Sequence, residues 1–324
     1  MRMRSARNCF TYPGRVAIIT GGSRGLGLLM ARQLKKEGAR LVLLARNRAE
    51  LERAKEQLGG GTGVLAITCD VSVRANVQHA IEIVMQHFGR IDMLINNAGI
   101  IQVGPLEHMT YGDYHHAMNV HFWGALHCTE AVLPHMRRRR AGRIVNIASI
   151  GGLIAVPHLA PYSASKFALV GYSDAVRAEV AKHGIRVTTV CPGLMRTGSP
   201  VNALMKGRHE AEFAWFGALS SLPIVSIDAR RAARKILDAA RRGRPHLTIT
   251  PQARLAAMLD RLVPNTFGRM MAVANRLLPS PVGTQGDEAW TGGESRPAAL
   301  PRFVTALGDR AAVRNNELVM TGQG

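Results

Sequence analysis

Short apolar runs rich in β-branched residues recur along this chain, and each is followed by a stretch with helical spacing. The runs are RVAIIT (15–20), ARLVLLA (39–45), GVLAIT (63–68), IDMLINNAG (91–99), RIVNIAS (143–149), IRVTTVCPG (185–193) and HLTIT (246–250). Between them lie LGLLMARQLKKEG, NRAELERAKEQL, SVRANVQHAIEIVMQHFG, and two longer helical patterns, from about 110 to 136 and from about 161 to 183. Runs without polar alternation suit strands buried on both faces, and strands alternating with helices make a parallel sheet with right-handed crossovers. The pattern predicts an α/β, doubly wound parallel sheet of seven strands over residues 14–250.

The ends of the chain read differently. Residues 1–13 are a basic N-terminal segment, and 251–279 contain ARLAAMLDRLVPNTFGRMMAVANRLLP, two basic amphipathic helices interrupted at Pro264 and Asn265. Residues 280–300 are rich in Gly, Pro and Ser, so 280–324 is expected to be an irregular tail. No run approaches the roughly 20 apolar residues of a membrane span, and VAIIT is too short for a signal-peptide core. Cys9, Cys69, Cys128 and Cys191 are scattered, without a CxxC pair or zinc spacing. They are expected to be reduced thiols in a cytoplasmic chain, and no metal is expected.

A net charge of +20 is large for an enzyme. Much of it sits in Arg137 to Arg140 and in ARRAARKILDAARRGR (229–244). Such runs attract nucleic acid or anionic lipid, but they also form solvated helix faces, and Arg137 to Arg140 follow a helix whose C-terminal dipole they complement. No aromatic residues alternate with the arginines, so nucleic acid is not the expected partner.

TGGSRGLG (20–27) follows the first strand directly, placing Gly21, Gly25 and Gly27 at the mouth of the first helix. Glycines there let backbone amides and the helix N-terminus meet a pyrophosphate, which predicts dinucleotide binding. The second strand ends in Ala45-Arg46-Asn47, without the acid that grips a ribose 2′-hydroxyl. Arg46, and Arg24 within the turn, favour a 2′-phosphate and hence NADP over NAD. The competing reading makes both arginines solvated surface residues.

With PYSASK (161–166), NNAG (96–99), Asp70, Asn119, Ser149 and Pro192-Gly193 in register with the glycine turn, the chain resembles the short-chain dehydrogenase/reductase family over residues 14–197. The resemblance implies a Rossmann fold of strand order 3-2-1-4-5-6-7 and a catalytic set of Asn119, Ser149, Tyr162 and Lys166. It also implies a dinucleotide site of Gly21, Ser23, Arg24, Gly25, Leu26, Gly27, Arg46, Asp70, Val71, Asn97, Ala98, Gly99, Tyr162, Lys166, Pro192, Gly193 and Thr197. In similar enzymes Asn119 would hold a water that links the lysine to solvent, and the family commonly forms homo-oligomers.

The chemistry behind the set is explicit. A phenol with a pKa near 10 is a poor proton donor at neutral pH. Lys166, one helical turn beyond Tyr162, is expected to lower that pKa by its charge, and Ser149 to hold the substrate oxygen. The segment after the sixth strand, with Leu194, Met205, Phe213, Trp215 and Phe216, is expected to roof a lipophilic carbonyl or alcohol. Two other functions stay open: a catalytically silent NADP-binding regulator or scaffold, and a reductase held at a membrane surface by the basic C-terminal helices. Those helices would alternatively cover the pocket or build an oligomer contact.

Overall fold

A computed structural model describes residues 10–298 and 300–318; most of the basic N-terminal segment, with Cys9, lies outside the described residues. Seven strands form one parallel sheet: β1 (Val16–Thr20), β2 (Arg40–Ala45), β3 (Val64–Thr68), β4 (Met93–Asn96), β5 (Gly142–Ile147), β6 (Ile185–Cys191) and β7 (His246–Thr248). Their order is β7-β6-β5-β4-β1-β2-β3, the expected 3-2-1-4-5-6-7, and each contact is parallel. All five residues of β1 are buried, and alternate side chains feed two cores. Ala17 and Ile19 join Leu28, Leu41, Leu43 and Ile236 on one face, while Val16 and Ile18 join Val42, Val77, Val84, Cys128 and Val187 on the other. A strand buried on both faces has no solvent-facing side, which is why these runs lack alternation.

The helices that cover the sheet are α1 (Gly25–Lys36), α2 (Arg48–Gln57), α3 (Arg74–Phe88), α4 (Tyr111–Met118), α5 (Gly124–Arg138), α6 (Ala160–Val180), α7 (His209–Ser221) and α8 (Ala229–Arg242). In α8 the alanines, Ile236 and Leu237 are buried, while Arg230, Arg231, Arg234 and Lys235 face solvent. Asp228 caps its start and Gly243, with φ of 64°, ends it. The Arg137 to Arg140 run is not uniformly solvated: Arg139 reaches back to buried Asp92 at 2.6 Å.

Two expectations are corrected. The helical pattern of 110–136 is not one α-helix, because a π turn over Asn119–Trp123 separates α4 from α5. Nor is 280–324 irregular throughout. Trp290–Thr291 pairs antiparallel with Leu204–Met205, and α11 (Arg302–Arg314) packs against α7. The sequence FVTALGDRAAVR carries its own helical period, with Ala311 and Ala312 buried, which the Gly, Pro and Ser content before it obscured. Before it come α9 (Pro251–Leu262) and α10 (Pro264–Asn275), the two expected amphipathic helices. Leu255, Met258, Leu262, Met270 and Val273 remain exposed on them.

Candidate active site

The glycine turn lies where β1 passes into α1. Gly21 and Gly25 have φ of 61° and 56°, in the left-handed region that favours glycine. A Cβ on Gly27 would collide with the Gly21 carbonyl and stand 2.7 Å from Asn97 Nδ2, so only glycine lets α1 approach the strand this closely. Asn97 Nδ2 donates to the Thr20 and Gly21 carbonyls at 3.0 and 3.2 Å, and the Thr20 hydroxyl accepts from the N–H groups of Asn97 and Ala98 at 2.9 Å each. Asn97 thus braces the turn, and Ala98 and Gly99 lead from it toward Tyr162's surroundings. These features fit a dinucleotide diphosphate: an amide-lined turn at a helix N-terminus, kept open by three glycines.

The rest of the expected cofactor set is spread along the same crevice. Leu26 and Ser23 are buried, and the Ser23 hydroxyl donates to Glu50 at 3.1 Å. Arg24 is engaged by two carboxylates, Glu50 at 3.2 Å and Glu317 at 3.3 Å, whereas Arg46 is exposed at the end of β2. Asp70 accepts from the Ser72 N–H and hydroxyl at 2.9 and 2.7 Å, beside buried Val71. Burial pushes the Asp70 carboxyl up, but the Ser72 bonds and the charges of Arg46 and His116 bring it below its ordinary value. The Pro192 carbonyl accepts from Ile150 at 2.8 Å, and Gly193 packs on Thr250. The buried Thr197 accepts at its carbonyl from Asn315 at 2.8 Å.

At the carboxyl ends of β5 and β6 stand the reacting groups. Tyr162 and Lys166 share one face of α6, with Lys166 Nζ 5.7 Å from the phenol ring centre. The Ser149 hydroxyl lies beside the phenol, whose pKa it lowers against the effect of burial, and accepts from the Gly151 N–H at 3.1 Å. Lys166 Nζ donates to the Ile147 carbonyl at 3.0 Å. Burial raises the Tyr162 pKa, with Ser149 opposing, and burial lowers Lys166 to about 7. The expectation that Lys166 acidifies the phenol is not met in this structure: burial raises Tyr162 and likewise disfavours charge on Lys166.

The fourth expected residue is displaced. Asn119 is exposed at the first position of the π turn, while His121, two residues on, is 1% exposed and packs edge-on against Tyr162 with ring centres 5.4 Å apart. Within a helix two residues of separation is roughly half a turn, so only one of the two can face the phenol. His121 Nε2 accepts from Ile100 N–H at 3.1 Å. The Ser165 hydroxyl gives its proton to the Tyr162 carbonyl, so His121 Nδ1, 2.7 Å away, is the donor to Ser165. Burial, and next the Lys166 charge, hold His121 well below its ordinary pKa, in keeping with a neutral ring. The signal was in the sequence: Ala117, Val120, Gly124, Ala125, Cys128 and Val132 form a small and apolar stripe that includes His121 and leaves Asn119 off it.

The expected roof is apolar. Met205, Phe213 and Phe216 are buried with Val103, Leu159 and Ala203, and Tyr162 and Trp215 pack on the edge of this cluster. A separate cavity of about 920 Å³ lies between Ser163, Ala164 and Phe167 of α6 and Met271, Asn275 and Arg276 in and just beyond α10. It lies one residue around the helix from Tyr162 and Lys166, and neither lines it, so the extension covers a cavity beside the reacting groups.

A family model described as short chain dehydrogenase matches residues 15–205. The chain belongs to the short-chain dehydrogenase family. Among its curated relatives of this family, a putative oxidoreductase SadH of Mycobacterium tuberculosis is 32% identical over 268 residues, covering 81% of this chain and 95% of the relative. Among solved structures, a short-chain dehydrogenase/reductase from Burkholderia phymatum in complex with NAD aligns with TM-score 0.72 at 26% identity, covering 79% of this chain and 96% of that one. Actinorhodin polyketide ketoreductase with NADPH aligns with TM-score 0.65 at 30% identity, covering 74% and 97%. As a short-chain dehydrogenase, the chain is an oxidoreductase of CH–OH and C=O groups with a nicotinamide dinucleotide as cofactor.

Proposed function

We propose that this protein is an NADP(H)-dependent reductase of lipophilic carbonyl compounds. The observation that carries the reading is the convergence of Tyr162, Ser149 and Lys166 at the carboxyl end of the sheet, beside an apolar roof and one crevice away from the glycine turn. When bound, the reduced dinucleotide supplies a hydride to the carbonyl carbon. Tyr162 gives its hydroxyl proton to the carbonyl oxygen, so C=O becomes CH–OH and the phenol becomes phenolate. Ser149 holds the same oxygen and orients it. A raised Tyr162 pKa keeps the phenol protonated in the resting enzyme, the form that reduction consumes. Lys166, buried and near neutrality, is placed to carry the positive charge that the phenolate then needs.

The 2′-phosphate reading now rests chiefly on Arg46, since two carboxylates already engage Arg24. Initial rates with NADPH and NADH over a panel of aliphatic, aromatic and polar ketones test the proposal. NADPH is expected to be preferred, and Arg46→Ala is expected to raise its KM about tenfold while leaving that of NADH within twofold, as loss of one charge-assisted hydrogen bond predicts. A wild-type preference for NADH, or turnover confined to small polar sugars, would overturn cofactor or substrate class respectively.

His121 replaces Asn119 in the proposed set as a positioning residue. His121→Ala leaves the Ile100 N–H and the Ser165 hydroxyl without their partner, and each lost bond is worth about 1–3 kcal/mol when buried. A fall in kcat of about tenfold is expected with dinucleotide affinity nearly unchanged, whereas Asn119→Ala should leave both constants alone. Steady-state kinetics of the two variants decide between the positions.

A further inference from the structure

The three residues after α11 end against the glycine turn. The Asn315 carbonyl accepts the Gly25 N–H at 2.9 Å, the first amide of α1, and the Asn316 side chain donates to the Ser23 carbonyl at 2.8 Å. Arg53 Nε donates to Asn316 Oδ1 at 3.2 Å, and Asn315 Nδ2 donates to the Thr197 carbonyl across the crevice. The Glu317 carboxylate, 8% exposed, sits 3.3 Å from Arg24 Nε, accepts from Asn202 Nδ2 at 2.8 Å, and presses on Gly25 so closely that a side chain there would collide with it. All three residues are buried.

The groups that hold this segment are the ones a phosphate would use. An N–H at a helix N-terminus, a guanidinium and the amide of Asn202 are all donors that suit an anion, and here the Asn315 carbonyl takes the first while the Glu317 carboxylate takes the other two. Ser23, Arg24, Gly25 and Thr197 belong to the dinucleotide site itself, so the segment bridges both lips of the crevice. Its place is fixed from behind as well: Ala312 of α11 lies against Gly198, where any side chain would clash.

We propose that Asn315–Glu317 is an internal ligand of the dinucleotide's phosphate site, which an incoming dinucleotide must displace. The inference rests on the nicotinamide-dinucleotide reading of the glycine turn. It assigns to the C-terminal segment a competitive role: Glu317 and the Asn315 carbonyl hold the turn in the resting chain, and the diphosphate takes over Gly25 and Arg24 when it binds.

Equilibrium titration with NADPH, repeated with NADH and followed by nicotinamide fluorescence, tests it on three proteins: the full chain, a chain ending after Arg314, and full-length Glu317→Ala. The truncated chain is expected to bind at least tenfold more tightly than the full chain, and Glu317→Ala about threefold more tightly. Circular dichroism establishes that the truncated chain keeps its fold, and Glu317→Ala carries the comparison should it not. Equal or weaker binding by the variants overturns the internal ligand while leaving the dinucleotide site standing. Failure of all three folded proteins to bind either dinucleotide overturns both readings.

Discussion

Tyr162→Phe is expected to lower kcat by about two to four orders of magnitude, the usual contribution of a positioned general acid. The substitution removes one oxygen and keeps the ring, so the edge-on contact with His121 and the packing beside Leu159 and Phe213 persist. Ser149 keeps its bond from the Gly151 N–H. Dinucleotide affinity should change by less than threefold, because the glycine turn and Arg46 are remote from the phenol oxygen. Single-turnover oxidation of NADPH by the variant, set beside its Kd for the same dinucleotide, separates chemistry from binding. An unchanged single-turnover rate would remove this phenol from the reaction and favour a binding protein that kept the fold.

The second large effect concerns stability. Asp92, 1% exposed at the amino end of β4, is gripped by Arg15 at 3.0 Å, Arg90 at 2.7 Å and Arg139 at 2.6 Å, and it also accepts from the Val16 N–H at 3.0 Å. Burial alone would push this carboxyl up, but the bonds from Arg90, Val16, Arg139 and Arg15 outweigh it and hold the pKa well below the usual carboxylate range. Asp92→Ala strands three guanidinium groups around one another and is expected to cost about 3–5 kcal/mol of unfolding free energy. Urea denaturation monitored by circular dichroism reads this directly. The sign of the pH dependence follows from the depressed pKa. Asp92's contribution is complete above the unfolded-state value of about 3.9 and fades as pH falls toward the folded-state value. The gap in stability between wild type and variant should therefore be constant from pH 7 to about pH 5 and shrink in stronger acid.

The sheet was legible because its central strands are buried on both faces, so VAIIT, LVLL and MLIN are apolar but for Thr20 and Asn96 at their carboxyl ends and stood out from the helices between them. The glycine turn and the Tyr162–Lys166 pair were legible for a related reason: close backbone approach and a one-turn spacing are constraints that a local string expresses. Asn119 was misplaced because residue order does not announce a π turn, and the burial stripe through Ala117, Val120 and Gly124, which marks His121, outweighs a motif position. Lys166's effect on the phenol was misjudged because desolvation depends on everything packed around a group, none of it adjacent in the chain. The placement of Asn315–Glu317 was invisible for the same reason. Its partners, Ser23, Arg24, Gly25, Arg53, Thr197 and Asn202, come from distant segments that only the folded crevice assembles.

The π turn has a bearing on how the length of this region can vary. Its i→i+5 loop encloses one residue more than an α turn and takes up that surplus locally, so Cys128, Val132 and Met136 of α5 still point inward. Deleting a single amino acid there would close the wide turn to an ordinary α turn and leave α5 in phase, so that Thr129 keeps the Asn96 amide it accepts from, whereas the same deletion inside α5 would turn every residue beyond it by about 100°. The π turn is thus the one place along this helical stretch with room to lose a residue; in the regular turns that follow, one codon re-aims every side chain after it.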